Sequence, residues 1–237
     1  MALVKLFPKT VLLAFFIFAS FVAKAQLGYN YSQYSLGVSG GFNQVYGDAE
    51  TIKTTQSIQF NLTYNTTPYV NFVFEAQLGK LAGGDSLTTK SGRQFNNDFS
   101  AYIFRGQLQL GELLDYSRSP FKNAIKNFYV SAGVGFVVNH ITQISRYSSK
   151  VPGYYTGGEN YSNEPFLPLR IGYEFKLFNQ YDEQNISIDL GFNYNHIFGD
   201  NLDGYDAGKS NDNYTQFTVG VKFGIGSVSS YGKKISY

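Results

Sequence analysis

Two histidines are the imidazole side chains that this chain offers for acid–base or nucleophilic chemistry. His140 is followed two residues later by the hydroxyl group of Thr142. A carboxylate from Glu159 or Glu164 would complete the set of groups that activates a hydroxyl nucleophile for acyl transfer. Neither glutamate lies in a segment with a clear strand pattern, and His196 has no matching nucleophile. Since a histidine at the edge of an apolar segment usually serves as an amphipathic side chain, the sequence predicts no catalytic activity.

Four aspartates form a second candidate group in one polar segment near the C-terminal end of the chain. They are Asp200, Asp203, Asp206 and Asp212. Calcium favours several oxygen ligands in a flexible loop. The spacing of these residues does not follow the twelve-residue calcium loop, which also ends in a glutamate. A solvated acidic loop is therefore the favoured interpretation, and the sequence predicts neither a metal site nor a cofactor.

Seven further charged residues stand on the polar side of segments in which apolar and polar residues alternate. They are Glu75, Arg105, Arg170, Glu174, Lys176, Asp189 and Lys222. An isolated buried charge is very costly, whereas charges of opposite sign can be buried as pairs. We therefore predict a network of paired charges inside the fold. A gated ion path is the alternative interpretation of the same residues.

Eight segments show this alternation, and no apolar position in any of them carries a charge. Successive side chains of a strand point to opposite faces, so each segment has one apolar face and one small or polar face. The segments cover 34–42, 58–64, 70–78, 102–110, 128–138, 167–177, 186–194 and 215–225. Charged residues make up 15% of the chain, which is below the roughly 25% of an ordinary soluble domain. This pattern predicts a lipid-facing outer surface around an eight-stranded barrel that its own small polar side chains fill.

The N-terminal segment has the features of an export signal. Lys5 and Lys9 precede an apolar stretch from Val11 to Val22, and Ala23 and Ala25 provide small residues for cleavage. The apolar stretch is shorter than the roughly 20 residues that a membrane-spanning helix needs. We therefore predict a cleaved signal peptide rather than a retained anchor.

Cleavage at the Ala25–Gln26 bond divides the chain into a signal peptide, 1–25, and one exported domain, 26–237. Three lysines leave with the signal, so 16 basic and 17 acidic side chains remain, for a net charge of −1. This balance gives no indication of nucleic acid binding. The chain has no cysteine, which excludes a disulfide framework and a lipid-modified cysteine anchor.

The connections between the eight segments predict the topology because long and short ones alternate. The long connections are polar and cover 43–56, 79–98, 140–165 and 199–213. Outer-membrane barrels have short periplasmic turns and longer outer loops, so we expect these four connections to face outward. The connection 111–126 is also long but falls on the opposite side. It either holds a short amphipathic helix from Pro120 to Lys126 or forms a loose turn.

Tyrosines lie near the ends of the predicted strands and in the third long connection. The first group is predicted to form aromatic girdles at the membrane interfaces. Its members are Tyr29, Tyr31, Tyr64, Tyr69, Tyr129 and Tyr194. The second group is either an adhesive surface or part of a passive loop. Its members are Tyr147, Tyr154, Tyr155 and Tyr161.

The last of the eight segments carries the most specific resemblance to a known family. Its residues are similar to the polar-x-Gly-x-x-aromatic-x-aromatic assembly signal of outer-membrane barrels, with isoleucine at the final position and a tail that follows it. The matching residues are Thr218, Gly220, Phe223 and Ile225. With the eight segments, they make the chain resemble the small outer-membrane barrels of OmpA and OmpX type, as in the Bacteroidetes. The resemblance covers nearly all of the exported domain and implies an all-β fold, an eight-stranded antiparallel up-and-down transmembrane β-barrel.

The same resemblance implies a monomer that is integral to the outer membrane of a diderm bacterium. Its partners would be outer-membrane lipid, lipopolysaccharide and the outer-membrane assembly machinery. We expect a structural or surface-interaction role through the outer loops, with a narrow ion or small-solute channel as the alternative. A lipid-modifying barrel enzyme and a soluble lipocalin-like barrel are less favoured. The polar face of the soluble barrel would be crowded with Lys and Glu, which this chain does not show.

Overall fold

The computed structural model describes residues 28–89, 91–148, 151–207 and 211–233. Within these residues, eight strands pair each with the next and close into a barrel through the first and the last. The strands are β1 (Gly28–Tyr46), β2 (Thr54–Asn65), β3 (Val70–Gly84), β4 (Gln94–Gln109), β5 (Phe128–Ser145), β6 (Tyr161–Phe178), β7 (Glu183–Ile197) and β8 (Asn213–Gly232). The predicted eight-stranded antiparallel barrel is confirmed. The predicted signal peptide, 1–25, lies outside the described residues.

The two faces of each strand differ in polarity because side chains alternate along the strand. In β2, Phe60 is 50% exposed on the outside of the barrel, while the neighbouring Gln59 is completely buried inside it. A soluble barrel that binds an apolar ligand has the opposite arrangement. In the part of the chain that the structure describes, no helix is long and apolar enough to cross a membrane.

The connections define two ends of the barrel, which we call the loop end and the turn end. The loop end carries the connections 47–53, 85–93, 146–160 and 198–212, and the turn end carries 66–69, 110–127 and 179–182. The first three loop-end connections are shorter than the predicted 43–56, 79–98 and 140–165 because the strands continue further at this end, and the fourth is displaced by one residue from the predicted 199–213.

The sequence pattern did not reveal these strand extensions, because the polarity of the two faces reverses toward the loop end. In the first part of β4, Asn96 and Asp98 lie on the outside, while Phe95 and Phe99 are buried inside. The sequence pattern of an apolar outer face ends there, although the hydrogen-bonded ladder between β3 and β4 extends to Gly84 and Gln94. A sequence pattern with an apolar outer face therefore does not reveal this part of the strand.

The seam between β1 and β8 closes the barrel and extends beyond the predicted end of the last strand. β8 runs to Gly232, which pairs with Gly28, whereas the sequence pattern ended at Ile225. The tail from Gly226 is thus largely strand. One irregularity interrupts the seam between Ser32 and Tyr34.

The long connection at the turn end folds into two short helices, α1 (Leu110–Leu113) and α2 (Pro120–Ile125). Of the two alternatives for this connection, the short helix is the one that the structure contains. Ser119 caps α2 by accepting a hydrogen bond from the backbone N–H of Lys122 at 3.4 Å, and proline is favourable at the first helical position. Lys233 follows β8, and its ammonium group donates hydrogen bonds to backbone carbonyl oxygens of α1 and of the residue that follows α1. The acceptors are Gly111 at 2.6 Å, Glu112 at 3.0 Å and Leu114.

We predict that replacing Lys233 with Ala lowers the free energy of unfolding by about 1–2 kcal/mol, because three carbonyl groups lose a charged donor. Urea unfolding of the barrel refolded into lipid vesicles measures the change. Lys122→Ala is the matched control, since Lys122 is an exposed cation on the same connection. An equal loss for both variants would show that the Lys233 contacts do not hold the connection in place.

Candidate functional site: the barrel lumen and its two mouths

The structure places all seven predicted network residues inside the barrel. Glu75 and Arg105, from neighbouring strands β3 and β4, form one ion pair with 2.7 Å between Oε2 and Nη2. Both side chains are almost completely buried. The second oxygen of Glu75 accepts a hydrogen bond from Gln77 Nε2 at 2.7 Å. The pair is therefore satisfied on the carboxylate side, as a buried carboxylate requires.

Asp189 is the centre of the larger group of charges. One of its oxygens contacts the guanidinium group of Arg170, and the other lies 3.2 Å from Lys222 Nζ. Lys222 also contacts Glu174, so one ammonium group joins two carboxylates. The Tyr129 hydroxyl accepts a hydrogen bond from Arg170 Nε at 2.6 Å and donates one to Asp189 at 3.0 Å. We call Glu75, Arg105, Arg170, Glu174, Asp189 and Lys222 the charge belt.

Glycines on the inner wall allow large side chains to lie across the lumen. A Cβ atom at Gly191 would lie 2.4 Å from the Arg170 guanidinium group, and one at Gly135 would lie 2.4 Å from the Phe166 ring. Both distances are too short for a real side chain. Since an eight-stranded barrel has little interior width, these side chains fill the cross-section at their level.

Lys176, the seventh predicted network residue, lies apart from the charge belt at the turn end. Its ammonium group donates to the carbonyl oxygen of Pro68 and lies 4.5 Å from the centroid of the Tyr69 ring. The Tyr69 ring meets those of Tyr116 and Tyr231 edge-on, at 5.9 and 5.7 Å. These aromatic and ammonium groups close the turn end.

The prediction of interfacial girdles was wrong for three of the tyrosines. Tyr31, Tyr69 and Tyr129 are buried inside the barrel, whereas Tyr64 and Tyr194 are exposed on its outer wall. The alternation in β5 predicts that Tyr129 faces inward, because the residues on either side of it, Phe128 and Val130, face outward. The side chain of Tyr29 lies outside what the structure describes.

Large apolar side chains are buried in the lumen between the charge belt and the loop end, although the sequence predicted a polar interior throughout. A cluster of buried side chains fills this part. Its members from the strands are Val45, Leu81, Phe95, Phe99, Ala101, Ile103, Val137, Ile141, Phe166, Ile197 and Tyr214. The small polar interior that the sequence predicted is found nearer the turn end, and buried asparagines such as Asn97 and Asn139 continue it among the apolar side chains.

The last connection folds into the loop-end mouth and closes it with its described residues, 198–207 and 211–212. Leu202 and Tyr205 are completely buried and belong to the apolar cluster. The Tyr205 hydroxyl accepts a hydrogen bond from the backbone N–H of Gln94 at 2.8 Å and lies 2.8 Å from the carbonyl oxygen of Ser145. Asn97, from the inner wall, donates to the carbonyl oxygen of Leu202 at 2.7 Å. We call this connection the loop plug.

Two buried carboxyl groups hold the backbone of the loop plug. Asp203 accepts hydrogen bonds from the backbone N–H groups of Asp48 at 2.7 Å and Tyr205 at 3.0 Å. Asp212 accepts one from Leu202 at 2.9 Å. Burial raises the pKa of both groups, and the neighbouring acidic groups raise the pKa further. A Cβ atom at Gly47 would lie within 2.6 Å of an oxygen of each, so the two carboxyl groups converge there.

The other two aspartates of the acidic group lie nearer the surface of the same connection. Burial raises the pKa of Asp200 to about 6, with a further contribution from Asp48. Asp206 donates its backbone N–H to the carbonyl oxygen of Gly157 at 3.0 Å. Among the described residues, no three acidic or histidine side chains converge as metal ligands would.

The candidate catalytic residues are not brought together. His140 lies on the outside and stacks on Tyr161 with 4.5 Å between ring centroids. Glu164 is buried on the inside, where Oε1 accepts the backbone N–H of Asn201 at 3.2 Å. Thr142 donates to the carbonyl oxygen of Asn96 at 3.3 Å. His196 lies with Nδ1 2.7 Å from Asn213 Oδ1.

The residues of the assembly signal occupy both faces of β8. Thr218 is completely buried and donates to the carbonyl oxygen of Gly191 at 3.3 Å. Gly220 also faces inward, where it approaches Ser39. Phe223 and Ile225 are exposed on the outer wall.

Three tyrosines of connection 146–160 and Tyr161, the first residue of β6, are exposed at the loop end. Tyr147 and Tyr155 pair in an antiparallel bridge with 5.0 Å between ring centroids, and they are 70% and 53% exposed. Tyr154 and Tyr161 are exposed as well. We call these four residues the tyrosine surface.

We predict that replacing Asp189 with Asn lowers the free energy of unfolding by about 3–5 kcal/mol, because two buried cations lose a carboxylate. Lys80→Ala is the control, since Lys80 and Asp98 form an exposed pair at 3.4 Å on the outer wall. It should change the free energy by less than about 1 kcal/mol. Urea unfolding in lipid vesicles measures both. A loss for Asp189→Asn as small as that of the control would contradict the assigned contacts.

We also predict that the loop plug opens more readily as the pH rises above 3.8, the ordinary value for Asp. The pKa values of Asp203 and Asp212 are raised in the closed plug, so the closed plug binds more protons than the open one between the ordinary and the raised values. Hydrogen exchange at the amides of Asp48 and Leu202, corrected for the intrinsic effect of pH, should show protection that decreases with pH. Asp212→Asn should reduce this dependence, and an unchanged dependence would contradict the prediction.

Comparisons with known proteins find likenesses among solved structures alone. No protein-family model matches the chain, and no curated protein has a similar sequence. Neisserial surface protein A is 11% identical, with a TM-score of 0.49 over 82% of this chain and 98% of that one. The attachment invasion locus protein Ail of Yersinia pestis is 10% identical, with a TM-score of 0.45 over 81% and 98%. The outer membrane protein AlkL, solved in lipid bilayers, is 13% identical, with a TM-score of 0.42 over 87% and 95%. At these values the likeness carries no functional conclusion.

Proposed function

We propose that this protein is an integral outer-membrane β-barrel with a structural or surface-interaction role through its loop end. We further propose that it neither conducts ions nor catalyses a reaction. The observation that carries the proposal is the filled lumen, which leaves the outer wall and the loop-end surface as the accessible parts of the molecule.

The outer wall supports a membrane location. Its apolar positions carry no charge in the eight predicted segments, and large apolar side chains are exposed all round the barrel. A transmembrane strand needs about 9–11 residues, and the strands here have 12 to 20. Lys80, Asp98 and His140 lie on the outer wall toward the loop end. The membrane would thus cover the apolar part of the wall and leave the loop end in water.

The filled lumen argues against the channel alternative. An ion entering from the loop end would have to displace the loop plug and cross an apolar cluster in which charge is costly. It would then meet the charge belt, whose carboxylates are already paired with cations. The turn end is closed by Lys176 and the aromatic rings around it. A conducting state would require several of these groups to move together.

The tyrosine surface is the best candidate for contacts with other molecules. Tyrosine offers a large, rigid contact area with a hydroxyl group that can donate or accept hydrogen bonds, and it is therefore frequent in binding surfaces. Tyr147 and Tyr155 are held by the bridge between them rather than by the barrel wall. A partner could contact them without any change in the barrel.

The location and the remaining partners follow from the sequence. The export signal and the assembly signal support the outer membrane of a diderm bacterium, with lipid and lipopolysaccharide around the wall. They also support insertion by the outer-membrane assembly machinery. We propose a monomer of the OmpA and OmpX type, as in the Bacteroidetes. The separation of His140 from Glu164 on opposite faces of the wall supports the absence of catalysis.

We predict that the barrel is found in the outer membrane and migrates faster on gels before heating than after. Single cysteines, introduced into this cysteine-free chain, test its orientation. Tyr155→Cys at the loop end should react with a membrane-impermeant maleimide on intact cells. Tyr181→Cys, which is exposed at the turn end, should react only after the cells are broken. The reverse pattern, or a soluble barrel in the periplasm, would contradict the proposal.

We also predict that the wild-type protein gives no unitary conductance in planar lipid bilayers. Arg105→Ala and Tyr205→Ala test the two barriers separately, since one lies in the charge belt and the other in the loop plug. Each variant should remain silent because the other barrier is intact. Regular conductance steps from the wild type would instead favour the channel alternative.

A further inference from the structure

We propose that the outer wall of the barrel carries a binding site for one acyl chain of a membrane phospholipid, in a furrow that crosses strands β3 to β7. This inference rests on the proposed membrane location and orientation. The furrow has a volume of about 760 Å³ and is open along the outer wall.

The furrow runs between two parallel rows of outward-facing side chains. The pairing of the strands places one residue of each row on each of five strands. The row nearer the turn end comprises Val70, Leu108, Val130, Ile171 and Phe192. The row nearer the loop end comprises Phe72, Gly106, Ala132, Leu169 and Tyr194. The backbone of the inward-facing residues between them forms the floor.

The second row has its two smallest members at neighbouring positions. Gly106 and Ala132 are paired neighbours on β4 and β5. A Cβ atom added at Gly106 would have no atom within 4 Å, so the wall is open at this point. Phe72 and Leu169 stand on either side and give the opening two apolar walls.

The length and slope of the furrow fit an acyl chain in one leaflet. Four spacings of about 4.8 Å between neighbouring strands give a length of about 19 Å. Strands of small barrels tilt by about 40°, so a row across them climbs by about 12 Å along the barrel axis. One leaflet of the hydrocarbon core is about 15 Å thick. A row that starts at Val70, the first residue of β3 at the turn end, therefore crosses most of the leaflet on that side.

The chemistry of the lining selects the occupant. No side chain of either row is charged, and the single side-chain hydroxyl group, that of Tyr194, donates to Asn213 Oδ1 at 3.1 Å. The furrow thus offers packing and no partner for a polar ligand. In lipid, specific association depends on such close packing, because apolar burial alone does not distinguish protein from hydrocarbon. With the turn end on the periplasmic side, the chain that fills it belongs to a phospholipid of the periplasmic leaflet.

Native mass spectrometry of the barrel extracted from outer membranes in a mild detergent tests the inference. The wild type should retain one phospholipid per barrel after washing. Gly106→Leu should retain severalfold less, because the new side chain fills the furrow. Gly40→Leu is the matched control and should behave as the wild type. Gly40 is also outward-facing with no atom within 4 Å of an added Cβ, and it lies outside the furrow on β1.

Ala132→Leu provides a second furrow variant if Gly106→Leu does not fold, as judged by heat-modified mobility. Equal retention in the wild type and a folded furrow variant would overturn the inference. So would a pair of barrels that separates in Gly106→Leu, since a second copy would then be the occupant. A wild-type chain found outside the membrane fraction would overturn the proposed function. A membrane-embedded wild type without bound lipid would overturn only the acyl-chain site.

Discussion

The narrow interior of a closed eight-stranded sheet is the constraint on which the rest of the structure depends. Eight strands leave room for side chains but not for a wide channel, so every inward-facing residue has to share one small cross-section with its neighbours. Arg170 and Phe166 fit into that space because the neighbouring strands have glycine at 191 and 135. Charges can be buried there only in the company of their partners, which explains why Asp189 contacts two cations.

The lumen has three levels, and each closes the barrel by a different physical means. Aromatic rings and ammonium groups occupy the turn end, paired charges occupy the middle, and an apolar cluster under the loop plug occupies the loop end. The carboxyl groups of Asp203 and Asp212 belong to the loop plug rather than to a solvated surface loop. They bind backbone N–H groups that would otherwise be buried without a partner, a more demanding role than the sequence suggested.

Alternation predicted the number of strands, their order and the outward direction of the apolar face. It could do so because the period of two is a direct consequence of strand geometry. The ends of the strands were not predictable in this way, since residues such as Asn96 and Phe95 exchange the usual polarity of the two faces. Proximity to a strand end was also insufficient to predict which face a tyrosine occupies. Tyr129 lies near the end of β5 and was assigned to a girdle, although its place in the alternation puts it inside.

The candidate site was predictable as a set of residues but not as a set of contacts. The sequence indicated seven charges on the inner face, and nearly equal numbers of both signs suggested pairing. Which cation meets which carboxylate depends on the register between strands, and Lys176 is set apart because it lies near the turn end. The role of Lys233 depends on long-range contacts with α1, which no local pattern contains.

In the proposed membrane location, the reversal of polarity along the outer wall has a consequence for the immersion depth of the barrel. Sinking the molecule toward the turn end would draw Lys80 and Asp98 into hydrocarbon, at a cost that rises from about 0–1 kcal/mol near the interface to about 2–4 kcal/mol for a lysine at the midplane. Raising the molecule would expose the apolar part of the outer wall to water, at a free-energy cost of about 25 cal/mol per Å² of apolar surface. These opposing costs act like a restoring force, so in the proposed membrane location the outer wall itself sets the vertical position of the barrel.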